Sequence, residues 1–245
     1  MVQKYKDMSN SWFYFPIFLM AIYFIFRLFD MSKMIFYFPF GDNFDLPAYF
    51  SLLYIVSKYS FGSFVDVWYN GFYLFQVYHP AWFYFTLPIY YLTKNILLTT
   101  YLSFLLIYLL ALIFIILLGK LQKLSLTKSI FLFLIFLANP IGLGYILRVG
   151  RITELFSWLI FIVLFIIFIY YKNNKLNKYF NLFLPVYTIL LLSHHTAFIL
   201  GSSLLVSLFL IKNRLRERFW IVGLFLLALL LTSFWTIPYY YGNKD

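Results

Sequence analysis

The chain has 245 residues, of which 64% are hydrophobic, 25% aromatic and 11% charged, with a mean hydropathy of +0.88 and a formal net charge of +11. Soluble domains carry about 25% charged residues, so the composition excludes an ordinary soluble domain and predicts a multi-pass membrane protein. The basic residues lie in short segments between apolar runs, which argues against a nucleic-acid surface, and the lack of cysteine excludes disulfides and thiolate metal sites.

Lys4 and Lys6 precede an aromatic run that is followed by no small-residue cleavage site. The N-terminus therefore reads as an uncleaved first span rather than a signal peptide. Apolar runs predict seven transmembrane helices, at about residues 12–29, 96–118, 129–147, 153–171, 179–193, 196–211 and 219–236. Arg27 sits near the end of the first, where its side chain can snorkel to the interface. The fifth and sixth are short; Ser193-His194-His195-Thr196 divides a stretch too long for one helix, and a re-entrant pair is the alternative. Residues 1–245 read as a single all-α membrane domain.

The distribution of Lys and Arg sets the expected orientation. With the N-terminus inside, the inner segments hold 12 basic residues and the outer ones 6, spread over a longer stretch. The positive-inside rule then places the N-terminus in the cytoplasm and a long first loop, residues 30–95, outside. In this loop Asp45 precedes "LPAYFSLLYIVSKY", a helix with Pro47 in its first turn and Ser51 and Lys58 on one face. It is expected to lie in the interface. A turn-rich aromatic stretch follows, and "AWFYFTLPIYYL" reads as another short interfacial helix.

The polar groups expected on the outer side are the functional candidates, because ionisable groups near membrane depth are costly. Asp45 reads as a helix N-cap, its carboxylate accepting from first-turn N–H groups. Asp42, after Gly41, is either a turn residue or a catalytic or metal-binding group. Asp66 reads as a turn or cap residue that could line a site. Arg148 and Arg151 flank Gly150 at a helix mouth with Glu154 just inside; guanidinium groups there either grip a phosphate or snorkel to headgroups. His194 and His195, being neighbours on a helix, point in different directions; one could face a site and the other cap. His79, before Pro80, is the third histidine.

The pieces "GDNFDLPAY", "DVWYNGFYLFQVYHPAWFYF", "GRITELFSW", "LLSHHTAFIL" and "SFWTIPYYY", in this order over nearly the whole chain, resemble the GT-C glycosyltransferase superfamily. The resemblance runs toward a largely prokaryotic group of membrane proteins labelled "6-pyruvoyl-tetrahydropterin synthase-related domain", a label that implies no pterin chemistry. It implies transfer of a sugar from a polyprenyl-phosphate carrier to an acceptor outside the cytoplasm, in a prokaryotic plasma membrane. By the same resemblance Asp42, then Asp45, would act as base or hold Mg2+ or Mn2+, and Arg148 and Arg151 would hold the lipid phosphate. The resemblance assigns no role to His194 or His195; Asp66, His79, Glu154, His194 and His195 are candidates to line the site from their expected place on the outer side. Members of the group run longer, so the chain is expected to be a fragment or to need a partner chain. The alternatives are a non-catalytic membrane scaffold or lipid-binding subunit and, last, a transporter, whose buried polar path the apolar spans do not supply.

Overall fold

The computed structural model describes residues 2–37, 45–67, 71–75, 78–139 and 149–242, with side chains described between Tyr14 and Tyr241. Among the described residues the helices, in chain order, are α1 (Val2–Met31), α2 (Leu46–Lys58), α3 (Ala81–Thr93), α4 (Ile96–Leu121), α5 (Leu126–Leu137), α6 (Ile152–Asn173), α7 (Phe183–Leu191), α8 (His195–Ile211) and α9 (Leu215–Gly242). Short 3-10 turns at Ser32–Ile35 and Lys178–Leu182 extend α1 and precede α7. The class is all-α; the one sheet among the described residues is a two-residue ribbon, β1 (Phe64–Val65) against β2 (Phe72–Tyr73).

Among the described residues four helical segments are long and apolar enough to cross a membrane: Tyr14–Ile35, Ile96–Leu121, Ile152–Asn173 and Leu215–Tyr241. Among the described residues the seven expected runs correspond to these four long helices and three shorter apolar ones, which differ in length. Helix α5 has 12 residues, a rise of about 18 Å against a hydrocarbon core of about 30 Å. Most of the remaining third run, residues 140–148, lies outside the described residues. The apolar stretch before residue 211 does divide at Leu192–His194, leaving α7 with 9 residues and α8 with 17. These two helices fold back on each other. The Tyr187 hydroxyl and Ser202 Oγ are 2.8 Å apart, and a Cβ added at Gly201 would lie 2.5 Å from Leu190 Cδ2.

Both expected helices of the 30–95 loop are present. Asp45 occupies the N-cap position of α2 with Pro in the first turn. Ser51, Tyr54 and Lys58 form its exposed stripe, while Leu46, Tyr49, Phe50, Leu52, Leu53, Ile55 and Val56 are buried. So much burial makes α2 part of the packed body rather than a helix resting on it. Its apolar side joins a large core with Trp82, Phe83, Phe104, Ile107, Leu155 and Trp235. A second core gathers Tyr171, Phe180, Phe183, Tyr187, Leu190, Leu208 and Ile221 from α6 to α9.

The alternating chain direction sorts the helix ends into two groups. At one end the Tyr101 hydroxyl donates to Leu28 O, Ala81 N–H to Leu192 O, and Trp235 Nε1–H to Phe75 O. At the other, Lys212 Nζ donates to Tyr171 O, Leu176 N–H donates to Glu217 Oε1, and Trp220 Nε1–H donates to Asn181 Oδ1.

Candidate functional site

Asp45 is positioned by backbone before any charge acts. Its N–H donates to Val149 O at 2.9 Å. The adjoining Gly150 has φ +80°, and a Cβ there would lie 2.6 Å from Leu46 N. A glycine is needed for both the left-handed backbone and the close approach. This contact pins the start of α2 against the start of α6 and brings together two residues far apart in the chain. Arg151 Nε lies 3.8 Å from Asp45 Oδ2, and an Arg151 terminal nitrogen lies 3.6 Å from Glu154 Oε2.

The expected capping role of the Asp45 carboxylate is corrected here. Asp45 holds the N-cap position, yet its side chain makes no cap hydrogen bond, and its backbone is helical (φ −95°, ψ −23°). A capping side chain normally requires extended backbone at that position. The carboxylate instead faces Arg151. Glu154 does fall in the first turn of α6, as its dipole favours. Its Oε2 is buried, with the 3.6 Å ion pair and no hydrogen bond. Next to this trio the Tyr49 hydroxyl lies 3.1 Å from Thr153 Oγ1, tying α2 to α6 again. Burial is the main cause that pushes the Tyr49 phenol up to about 12, so it stays protonated.

The histidines form a second, adjoining group. His194 is the N-cap of α8, its Nδ1 accepting from Thr196 N–H at 3.4 Å. In the neutral ring the proton therefore resides on Nε2. The His194 and His195 rings stack with centroids 4.4 Å apart, and His79 lies 5.6 Å from His194 and 6.0 Å from His195. Burial, then the neighbouring imidazoles, lowers His79 from 6.5 to about 3. Burial, then His195 and Arg151, lowers His194 to about 4. The influence of Arg151 on His194 joins the two groups electrostatically. Both imidazoles are neutral near pH 7, each offering one donor and one acceptor.

Sequence reasoning missed the aromatic wall behind these rings. Trp235 stands 4.8 Å from His79, Tyr239 stacks at 4.8 Å on Trp235, and Trp235 Nε1–H donates to Phe75 O and to Tyr78 O. The spacing of Trp235 and Tyr239, four apart on α9, was the only local signal; their partner is far away in the chain. Asp66 is exposed beside the ribbon, and no contact places it in either group. Asp42 and Arg148 lie outside the described residues.

Asp42, the first residue expected to hold a divalent cation, lies outside the described residues. Among the described residues no group of three or more His, Asp or Glu is arranged to hold a metal ion. Asp45 faces a guanidinium, which repels one, and His194 Nδ1 is taken by its own helix. A cavity of about 510 Å³ opens along the exposed stripe of α2, lined by Phe50, Ser51, Tyr54, Ile55, Val67, Ile96 and Leu97. It is mostly apolar, and belongs to the same end of the bundle.

Comparison with known proteins adds no relative: no family model, curated protein or solved structure matches the chain.

Proposed function

We propose that this chain is a multi-pass membrane protein that engages a polyprenyl-phosphate-linked sugar at the Asp45–Arg151 end, as a GT-C-like glycosyltransferase. The observation that carries the reading is the Asp45–Arg151 pair itself, held in place by backbone contact and left open to the surface. Its side chains are 44% and 40% exposed, and the charges are 3.8 Å apart. Such a pair contributes at most about 1 kcal/mol. A lipid phosphate, offering bidentate oxygens, can take the guanidinium in its place. That exchange would release the Asp45 carboxylate as it brings the donor in. In transfer, the acceptor hydroxyl attacks the anomeric carbon and its proton passes to the carboxylate of Asp42 or Asp45. The bond from that carbon to the phosphate oxygen breaks, and Arg148 and Arg151 stabilise the phosphate charge that results. Tyr49, His79, Glu154, His194 and His195 would border the acceptor side. In this reading the site end faces away from the cytoplasm.

A second reading, a lipid-binding subunit without chemistry, is favoured by the apolar cavity beside α2, which suits a hydrocarbon chain. Transfer from a radiolabelled polyprenyl-phosphate sugar separates the two. The enzyme reading expects turnover that falls at least about 100-fold in Asp42→Asn or Asp45→Asn, as removal of a general base does. Lipid binding with no turnover in the intact membrane leaves the subunit reading standing, and full turnover in both variants ends the carboxylate mechanism.

A further inference from the structure

We propose that the opposite end of the bundle carries a second binding site, for a phosphate-bearing anion, between the C-terminal ends of α4 and α6. A cavity of about 450 Å³ opens there, lined on one side by Gln122 and Lys123 and on the other by Tyr170, Lys172, Asn173 and Asn174. Two lysines and the amides of Gln122 and Asn173 thus line one space together with Leu121 and Ile169, and cations with amide donors suit phosphate oxygens. Neither lysine has a carboxylate partner among the described residues. The one nearby acid described, Glu217, is occupied in accepting from Leu176 N–H.

The backbone beneath Lys123 is fixed by the end of α4. Leu124 N–H donates to Gly119 O and Lys123 N–H to Lys120 O, the paired bonds that close a helix with a left-handed residue. Glycine is the usual occupant of that place, yet here Lys123 holds it at φ +55°. Lys94 takes the same conformation after α3, so this backbone fixes where the Lys123 side chain starts and the cavity lining carries the argument. The facing wall is stiff. Lys212, only 6% exposed, donates to Tyr171 O and Asn174 O, and Asn174 Nδ2 donates to Tyr170 O. The backbone of that wall is thus held without a ligand and loses little freedom on binding one.

A lipid headgroup and a free phosphate share this chemistry. A headgroup would sit at the end of the bundle with its acyl chains along α4 and α6, and basic clefts between spans are suited to that. The site is independent of the proposed transferase activity and would persist if that reading failed.

The test uses the full chain in a neutral detergent, with thermal midpoint and binding measured against phosphatidic acid, phosphatidylcholine and inorganic phosphate. Phosphatidic acid is expected to raise the midpoint by several degrees and phosphatidylcholine to leave it unmoved. Lys123→Gln with Lys172→Gln is expected to weaken phosphatidic acid binding about 30-fold, at about 5-fold per lysine. Lys128→Gln, a lysine of the same end outside the cavity lining, is expected to bind as the parent does. Lys123→Gly suits the left-handed backbone, so it should fold at least as well and still bind about 5-fold more weakly. An equal effect from inorganic phosphate supports the site and assigns it to a free anion. Equal binding of phosphatidylcholine, an undiminished double variant, or an equal loss in Lys128→Gln overturns the proposal.

Discussion

The two ends of the bundle are built from different materials. One mixes Asp45, Glu154 and Arg151 with three imidazoles and the Trp235–Tyr239 pair, so that each polar group has a charged or aromatic neighbour. At the other, residues 120–128, 172–178 and 212–218, the three turns with the helix ends that flank them, carry ten Lys or Arg residues and a single acid, Glu217. There the cations satisfy helix ends directly: Lys212 binds the carbonyls closing α6, and Arg218 Nε donates to Lys212 O. A lone sign of charge can be tolerated in water because each group is hydrated. Mixed charge, rings and buried imidazoles need a defined arrangement, and chemistry draws on such arrangements.

That contrast can be broken most severely at Trp235. Replacing it with Ala removes a 4%-exposed ring and the donor to two loop carbonyls. The expected loss is about 3–5 kcal/mol in detergent unfolding, with His79 released from its ring contact. At the basic end, Lys212→Met should cost about 2–3 kcal/mol, because a buried cation leaves two carbonyls without a donor. A smaller cost there would mean that water replaces it.

Acidification should separate the ends further. His79 and His194 have folded values of about 3 and about 4 against an ordinary 6.5. The unfolded chain therefore binds more protons between these values. The stability these groups confer is complete above about pH 6.5 and declines as the pH falls through the window toward 4 and then 3. The midpoint should drop by several degrees between about pH 7 and about pH 5. His79→Phe, which keeps a ring against Trp235, should flatten that slope; an unchanged slope would place the titration elsewhere.

Gly150→Ala is expected to cost about 2 kcal/mol from the left-handed backbone and the clash with Leu46. It should also pull the Asp45–Arg151 contact apart. Asp45→Asn gives the smallest stability change, within about 0.5 kcal/mol, since the pair is nearly half exposed. The proposed transferase role predicts its large effect on turnover alone.

Local chemistry made some of this legible along the chain. The Asp45-Leu46-Pro47 start of α2 and the break near His194 both rest on neighbours in sequence. So did the length of the apolar runs, although a run does not disclose where a helix stops, and among the described residues the seven runs correspond to four long helices and three short ones. The cap was misread at Asp45 because the competing partner, Arg151, lies far along the chain.

Composition and the spacing of apolar residues determined that this chain is helical and membrane-compatible, with most of its basic residues near the helix ends of one side. Each of those properties is additive over neighbouring residues. Which carboxylate meets which guanidinium, which imidazoles are buried beside Trp235, and which two lysines share a cavity were decided only by packing. Those contacts depend on how helices far apart in sequence are brought to the same end, and no local pattern encodes that.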